Sequence, residues 1–120
     1  MGKGHELGRR GEALAAALLE AEGWRILARN FRFRRKEIDL IARRGDVVAF
    51  IEVKTRAGSG YGHPLEAVTW AKRREIETVA RAWVARYGDP TDLYRFDTVA
   101  IVCREGEAPQ LLHVEDAWRL

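Results

Sequence analysis

Glu37-Ile38-Asp39-Leu40-Ile41 and Phe50-Ile51-Glu52-Val53-Lys54, joined through Arg43-Arg44-Gly45-Asp46, carry the reading of this chain. Both segments are apolar and rich in β-branched residues apart from charges set two apart, which is the pattern of a strand. Side chains alternate between faces along a strand, so Glu37 and Asp39 are expected on one face, as are Glu52 and Lys54. Runs this apolar are expected to be mostly buried, and buried acids need partners or a metal ion. The Gly and Asp between them are residues that tight hairpins use. A two-residue tip at Arg44-Gly45 sets Asp39 diagonal to Glu52, whereas a tip at Gly45-Asp46 sets the two directly opposite. Either register brings the carboxylates to one face, roughly 5–8 Å apart at Cβ. A three-residue tip with a bulge would change the register. Like charges this close repel unless a cation lies between them. Lys54 supplies part of that charge, and a divalent ion would supply the rest.

Outward from the hairpin the chain divides into simple elements. Residues 5–22 read as a helix, with Leu7, Leu14, Leu18 and Ala21 at helical spacing and Gly23 as its stop. Residues 24–34 read as a strand in which Phe31 and Phe33 alternate with Arg32 and Arg34. After the hairpin, the stretch Arg56 to Pro64 holds Gly58, Gly60 and Gly62 and reads as a loop. Thr69 opens a second helix that Gly88 ends, with a core stripe of Ile76, Val79, Ala80, Trp83 and Tyr87. A strand over 93–103, a turn at Glu105-Gly106-Glu107 and a strand over 110–114 complete the order α, β, β, β, α, β, β. That order predicts an α/β/α sandwich with a mixed central sheet flanked by helices.

At 120 residues the chain has the size of a single domain, residues 1–120. It shows no targeting signal and no apolar run of membrane-spanning length, so a cytoplasmic protein without a membrane partner is expected. The lone Cys103 excludes an internal disulfide and a cysteine-rich zinc site, and its apolar surroundings predict a buried, inert thiol. A net charge of +3 makes the global field only mildly basic. The distribution is uneven: Arg25, Arg29, Arg32, Arg34, Arg35 and Lys36 crowd the approach to the first acidic segment, and Arg43 and Arg44 follow it. Arg presents a planar fork suited to phosphate oxygens, and because the basic cluster adjoins the acidic pair, nucleic-acid contact is favoured over a plain solvated surface.

Asp39, followed after twelve residues by Glu52-Val53-Lys54, resembles the signature of the PD-(D/E)xK nuclease superfamily with its restriction-endonuclease-like fold. Gly11-Glu12, the Glu37–Ile41 segment, Glu52-Val53-Lys54-Thr55-Arg56 and Gly62-His63-Pro64-Leu65-Glu66-Ala67-Val68, in this order, resemble the YraN-like bacterial proteins, which are similar to archaeal Holliday-junction resolvases. Two departures stand out. Ile38 replaces the Pro of the superfamily's name, and Lys36 stands where the YraN-like pattern usually has Gly.

The resemblance implies a Mg²⁺- or Mn²⁺-dependent endonuclease acting on structured or branched DNA, as a homodimer if it resolves junctions. It implies Asp39, Glu52 and the carbonyl of Val53 as metal ligands, and Glu12 as a further acidic member. The residue chemistry agrees: carboxylates are hard oxygen ligands for such ions, and Lys54 on the same face could orient or deprotonate a water. Arg32, Arg34, Arg35, Lys36, Thr55 and Arg56 are the expected backbone contacts. Read without the resemblance, Asp39, Glu52 and Lys54 could equally form a cross-strand ion-pair network. A non-catalytic nucleic-acid-binding module on the same fold is the rival function. His5, His63 and His113 are too scattered to form a metal set; Tyr61 could stack on a base; Lys72 could face the sheet, though lysines at such positions more often reach outward. The four Trp are expected in the core or an interface.

Overall fold

The computed structural model describes residues 3–57 and 68–118, with side chains from Glu6 onward. Among these, helix α1 (Lys3–Ala21) precedes strands β1 (Arg25–Phe33), β2 (Lys36–Arg44) and β3 (Val47–Ala57). Helix α2 (Trp70–Tyr87) and strands β4 (Leu93–Cys103) and β5 (Gln110–Trp118) follow. The strands form one sheet in the order β1-β2-β3-β4-β5. Every neighbouring pair is antiparallel except β3 and β4, which run parallel because α2 lies between them in the chain. The result is a mixed α/β sheet with one helix on each face, a restriction-endonuclease-like α/β fold.

Two apolar layers hold it together. On one face Ala15, Ala16 and Leu19 of α1 pack with Trp24, Leu40, Ala49, Ile51, Val99 and Ile101. On the other, Ile76, Val79, Ala80 and Trp83 of α2 cover Ile41, Val48, Phe50 and Phe96. The second helix matches its expected core stripe except for Tyr87, which is exposed at its end. In α1 the buried stripe is the small residues, not the leucines: Leu14 and Leu18 are half-buried and Ala21 is exposed. Small side chains let the helix backbone come down onto the sheet. At Gly11 the approach is so close that a Cβ would collide with the side chain of Thr55.

The hairpin that decides the fold turns at Gly45-Asp46, since Arg44 pairs with Val47. Gly45 has φ +62°, the first-position demand of a two-residue turn that glycine meets without strain. Thr69 caps α2 by accepting a hydrogen bond from the Lys72 amide (3.2 Å). Arg43 forks onto Asp92 at 2.8 and 3.1 Å and so ties β2 to the turn before β4. Two boundaries differ from expectation. Strand β3 continues through Arg56 to Ala57, and β5 runs on to Trp118 instead of stopping at Val114. The extension of β5 includes a bulge between Phe96 and Thr98 of β4. Opposite it, Asp116 takes φ 50°, and its amide donates to the Asp97 carboxylate at 2.9 Å.

Candidate active site

The β2–β3 ladder pairs Leu40 with Ile51 and goes no further toward Asp39. Beyond that pair the Asp39 carboxylate accepts the Val53 amide hydrogen bond at 2.7 Å, so a side chain replaces the backbone partner where the strands part. Opposite Asp39 on β1, between the pairs Arg29–Leu40 and Phe31–Ile38, sits Asn30 with φ 51°. Alternation breaks at this point. Leu40 packs on the α1 face, yet Ile38, two residues earlier, packs on the α2 face. Asp39 shares the face of Ile41 and so joins Glu52 and Lys54 on the α2 side, whereas Glu37, beyond the break and expected on the same face, turns to β1. There Glu37 meets Arg32 at 3.3 Å and the Asn30 amide at 3.5 Å.

Glu52 is almost fully buried. Two ammonium groups approach its carboxylate: Lys54 Nζ at 3.5 Å and Lys72 Nζ, from the first turn of α2, at 3.8 Å. Lys72 thus faces the sheet, the less common of the two orientations its spacing allowed, and brings a cation to the site. It also stands 4.0 Å from Glu75, whose other oxygen is 2.9 Å from Lys36. Burial, then the charge of Glu52, raises the Asp39 carboxyl from 3.8 to about 7, even though the Val53 amide and the charge of Lys72 pull it down. The two lysines therefore leave the carboxylate pair short of positive charge.

That shortfall is the test of whether a divalent ion fits. Asp39 and Glu52 are hard oxygen donors, and the Val53 carbonyl, if it served as the resemblance implies, would add a third oxygen and leave most of an octahedral shell to water, as Mg²⁺ prefers. Thr98, level with Glu52 in the β3–β4 ladder, is fully buried, and its hydroxyl has no hydrogen-bond partner among the described residues. An unsatisfied hydroxyl one strand over from Glu52 suits a water-rich ion. Among the described residues no group of three His, Cys, Asp or Glu side chains is placed to hold a metal ion, so the donor set rests on two carboxylates.

The remaining sequence-derived residues spread over both faces. Glu12 accepts a hydrogen bond from Asn30 Nδ2 at 3.0 Å, which places it across β1 from Asp39 and beside Glu37. Thr55 packs against Gly11 on the α1 face, and Arg56 donates to the carbonyl of Thr55 at 3.4 Å. Arg34 lies over the ring of Phe33, 5.1 Å from its centroid; Arg35 is exposed. Tyr61, His63, Glu66 and the rest of the Gly62–Ala67 stretch lie outside the described residues. Trp24, Trp83 and Trp118 are buried as expected, but Trp70 is 74% exposed. Cys103 is half-buried at the edge of the α1-side core.

A second polar cluster was not legible from spacing. Asp97 is completely buried and receives Arg95 through two hydrogen bonds of 2.9 Å, with His113 Nε2 at 2.7 Å. His113 Nδ1 meets Glu22, at the end of α1, at 2.8 Å. Burial pushes Asp97 up, but its hydrogen bonds to His113, Arg95 and the Asp116 amide outweigh that and hold it below 3.8. Burial pushes His113 down, yet the bonds to Asp97 and Glu22 hold it above 6.5. Every polar atom of the carboxylate and the ring is engaged, so this cluster braces the β4–β5 bulge.

Comparison with known proteins agrees with the reading of the motifs as a family signature. The chain is 49% identical over 112 residues to a UPF0102 protein of Rhodococcus jostii, covering 93% of this chain and 95% of the relative. It is 47% identical over 114 residues to one of Geobacter sulfurreducens, covering 95% and 89%. A UPF0102 protein of Chlorobaculum tepidum is 51% identical over 96 residues, covering 80% and 74%. The model of the uncharacterised protein family UPF0102 matches residues 11–101, and the chain belongs to that family, the YraN-like group its motifs resemble.

Proposed function

We propose that this chain is a metal-dependent endonuclease that hydrolyses phosphodiester bonds in structured or branched DNA. The observation that carries the reading is the meeting of Asp39 and Glu52 where β2 and β3 part, with Lys54 and Lys72 beside them and positive charge still lacking.

Asp39, Glu52 and the Val53 carbonyl would hold Mg²⁺ or Mn²⁺. The ion, when bound, supplies positive charge for the phosphate and activates water. Lys54 orients the attacking water or takes its proton, and Lys72 adds charge as negative charge builds on the phosphate. Water oxygen bonds to phosphorus while the ester oxygen on the far side leaves. Glu12 acts from across β1 through Asn30. Arg32, Arg34, Arg35, Lys36, Thr55 and Arg56 hold the DNA backbone; such contacts position a duplex without reading its sequence. Selection by shape follows, with a homodimer if the substrate is a junction. Among the described residues no helix is long and apolar enough to cross a membrane, in line with a cytoplasmic nuclease.

The thin donor set of two carboxylates favours one alternative, a nucleic-acid-binding module that has lost turnover. Labelled single strands, duplexes, flaps and four-way junctions, incubated with Mg²⁺ and with Mn²⁺, separate the two. Cutting by the wild type that Lys54→Ala loses is the expected result. Binding without cutting under both metals would move the assignment to the non-catalytic module.

A further inference from the structure

We propose that the outer face of α2 and the β1–β2 turn form a phosphate-binding groove that holds one DNA strand leading to the Asp39–Glu52 centre, an inference that rests on the nuclease reading above. Two adjoining grooves, of about 490 and 640 Å³, share Phe33 and Thr78 as common lining. The first is edged by Arg34, Arg35, Lys36 and Arg74, the second by Arg81 and Arg86. Among the described residues Glu75 is the one acid lining either, and it is already held by Lys36 and Lys72. Among the described residues no ion pair engages Arg34, Arg35, Arg74, Arg81 or Arg86. Five guanidinium groups on one face without carboxylate partners among the described residues form an anion site.

The shape fits a strand. Arg74, Thr78, Arg81, Ala82 and Ala85 recur at helical spacing and form one stripe on the solvent side of α2. Ala82, Ala85 and Thr78 are small, so a sugar–phosphate backbone can lie close to the helix between rims of arginine. From Arg74 to Arg86 the helix rises about 18 Å, over which one strand of a duplex carries about five phosphates. Phe33, at the join of the two grooves, offers a half-buried ring against which a base can rest. The groove also ends in the right place. The chain of contacts Lys36–Glu75–Lys72–Glu52, with separations of 2.9, 4.0 and 3.8 Å, joins it to the acidic pair. Arg74, Arg81 and Arg86 thereby become backbone-positioning residues that strand alternation around residues 32–36 could not reveal.

The test is binding of labelled single-stranded and branched DNA in chelator, so that nothing is cut, read by fluorescence anisotropy across a salt series. Arg74→Gln/Arg81→Gln/Arg86→Gln is compared with the wild type and with Arg9→Gln/Arg10→Gln/Arg104→Gln, which removes the same charge away from the groove. The groove variant should bind at least roughly tenfold more weakly, and its slope of log K against log salt should shrink by about 2. The control should keep most of the affinity, and Mn²⁺ binding should be unchanged in both. Unchanged DNA affinity and slope in the groove variant would overturn the groove while leaving the nuclease reading standing. Polyglutamate competing as well as DNA would overturn the nucleic-acid assignment of the groove. A wild type that binds no DNA even at low salt would sink the nuclease reading itself, and the groove with it.

Discussion

Replacing Asp39 by Asn should make the metal-free protein more stable, although it removes a residue of the proposed centre. Burial and the charge of Glu52 raise this carboxyl from 3.8 to about 7. Below the ordinary value the group is protonated both folded and unfolded, and the shift costs nothing. As pH rises from about 4 to about 7, the unfolded chain ionises while the folded one keeps its proton, so stability falls; above about 7 the loss is complete. About three pH units at roughly 1.4 kcal/mol each set an upper bound of about 4 kcal/mol. Asn keeps an oxygen for the Val53 amide, but a neutral acceptor is weaker than a charged one by about 1 kcal/mol. Partial exposure of Asp39 screens the repulsion further. A net gain of about 2 kcal/mol near pH 8 is expected, or roughly 8 °C in melting temperature. Denaturant titrations in chelator at about pH 4 and about pH 8 should show the gain only at the higher pH. Saturating Mg²⁺ or Mn²⁺ should then stabilise the wild type and leave the variant unmoved. If Asp39→Asn instead destabilises the protein near pH 8 in chelator, the carboxylate belongs to a favourable ion-pair network, and the argument for a missing cation is wrong.

Lys72→Ala removes a charge that holds Asp39 down, so the Asp39 titration followed by carboxyl NMR should move above about 7; no movement would place Lys72 elsewhere in solution. Gly11→Ala should cost about 1–3 kcal/mol despite the better helix propensity of Ala, because its Cβ meets Thr55; adding Thr55→Ala should recover part of the loss in denaturant titrations. His113→Gln should destabilise the fold most below the ordinary histidine value of 6.5, and the difference from wild type should shrink as pH rises through the raised pKa of His113. The Asp97 contribution is present above 3.8 and disappears as pH falls through its lowered value, so stability curves of Asp97→Asn and wild type should converge in strong acid.

What the sequence carried well was local and periodic. The cap at Thr69 and the stripe of Ile76, Val79, Ala80 and Trp83 each depend on neighbouring residues alone and stand where expected, and of the two hairpin tips the sequence allowed, Arg44-Gly45 and Gly45-Asp46, the second is formed. The pairing of Asp39 with Glu52 and Lys54 followed from hairpin register, because counting through a two-residue turn fixes which side chains meet. The failures share one cause, departure from regular geometry. Glu37 left the face of Asp39 because alternation breaks beside Asn30, whose left-handed backbone no spacing rule announces. The Asp97–His113 contact needs the bulge that shifts β5 against β4, and Glu22 joins it only through tertiary packing. In α1 the leucines carry the helical period, yet close approach at Gly11 and Ala15 demands small residues there. Lys72 was ambiguous because a long side chain near a helix edge can reach either water or a buried carboxylate; Glu52 decides it. The arginines of α2 gave no signal as a group until the fold laid them beside the β1–β2 turn.

Direct titration with Mn²⁺, followed by calorimetry and by the electron paramagnetic resonance of the free ion, tests the central claim that Asp39 and Glu52 form a metal centre. The wild type should bind Mn²⁺ saturably, with Mg²⁺ competing, and Asp39→Asn and Glu52→Gln should each abolish that binding while remaining folded. A folded wild type that takes up no Mn²⁺, or variants that bind it as well as the wild type, would contradict the account.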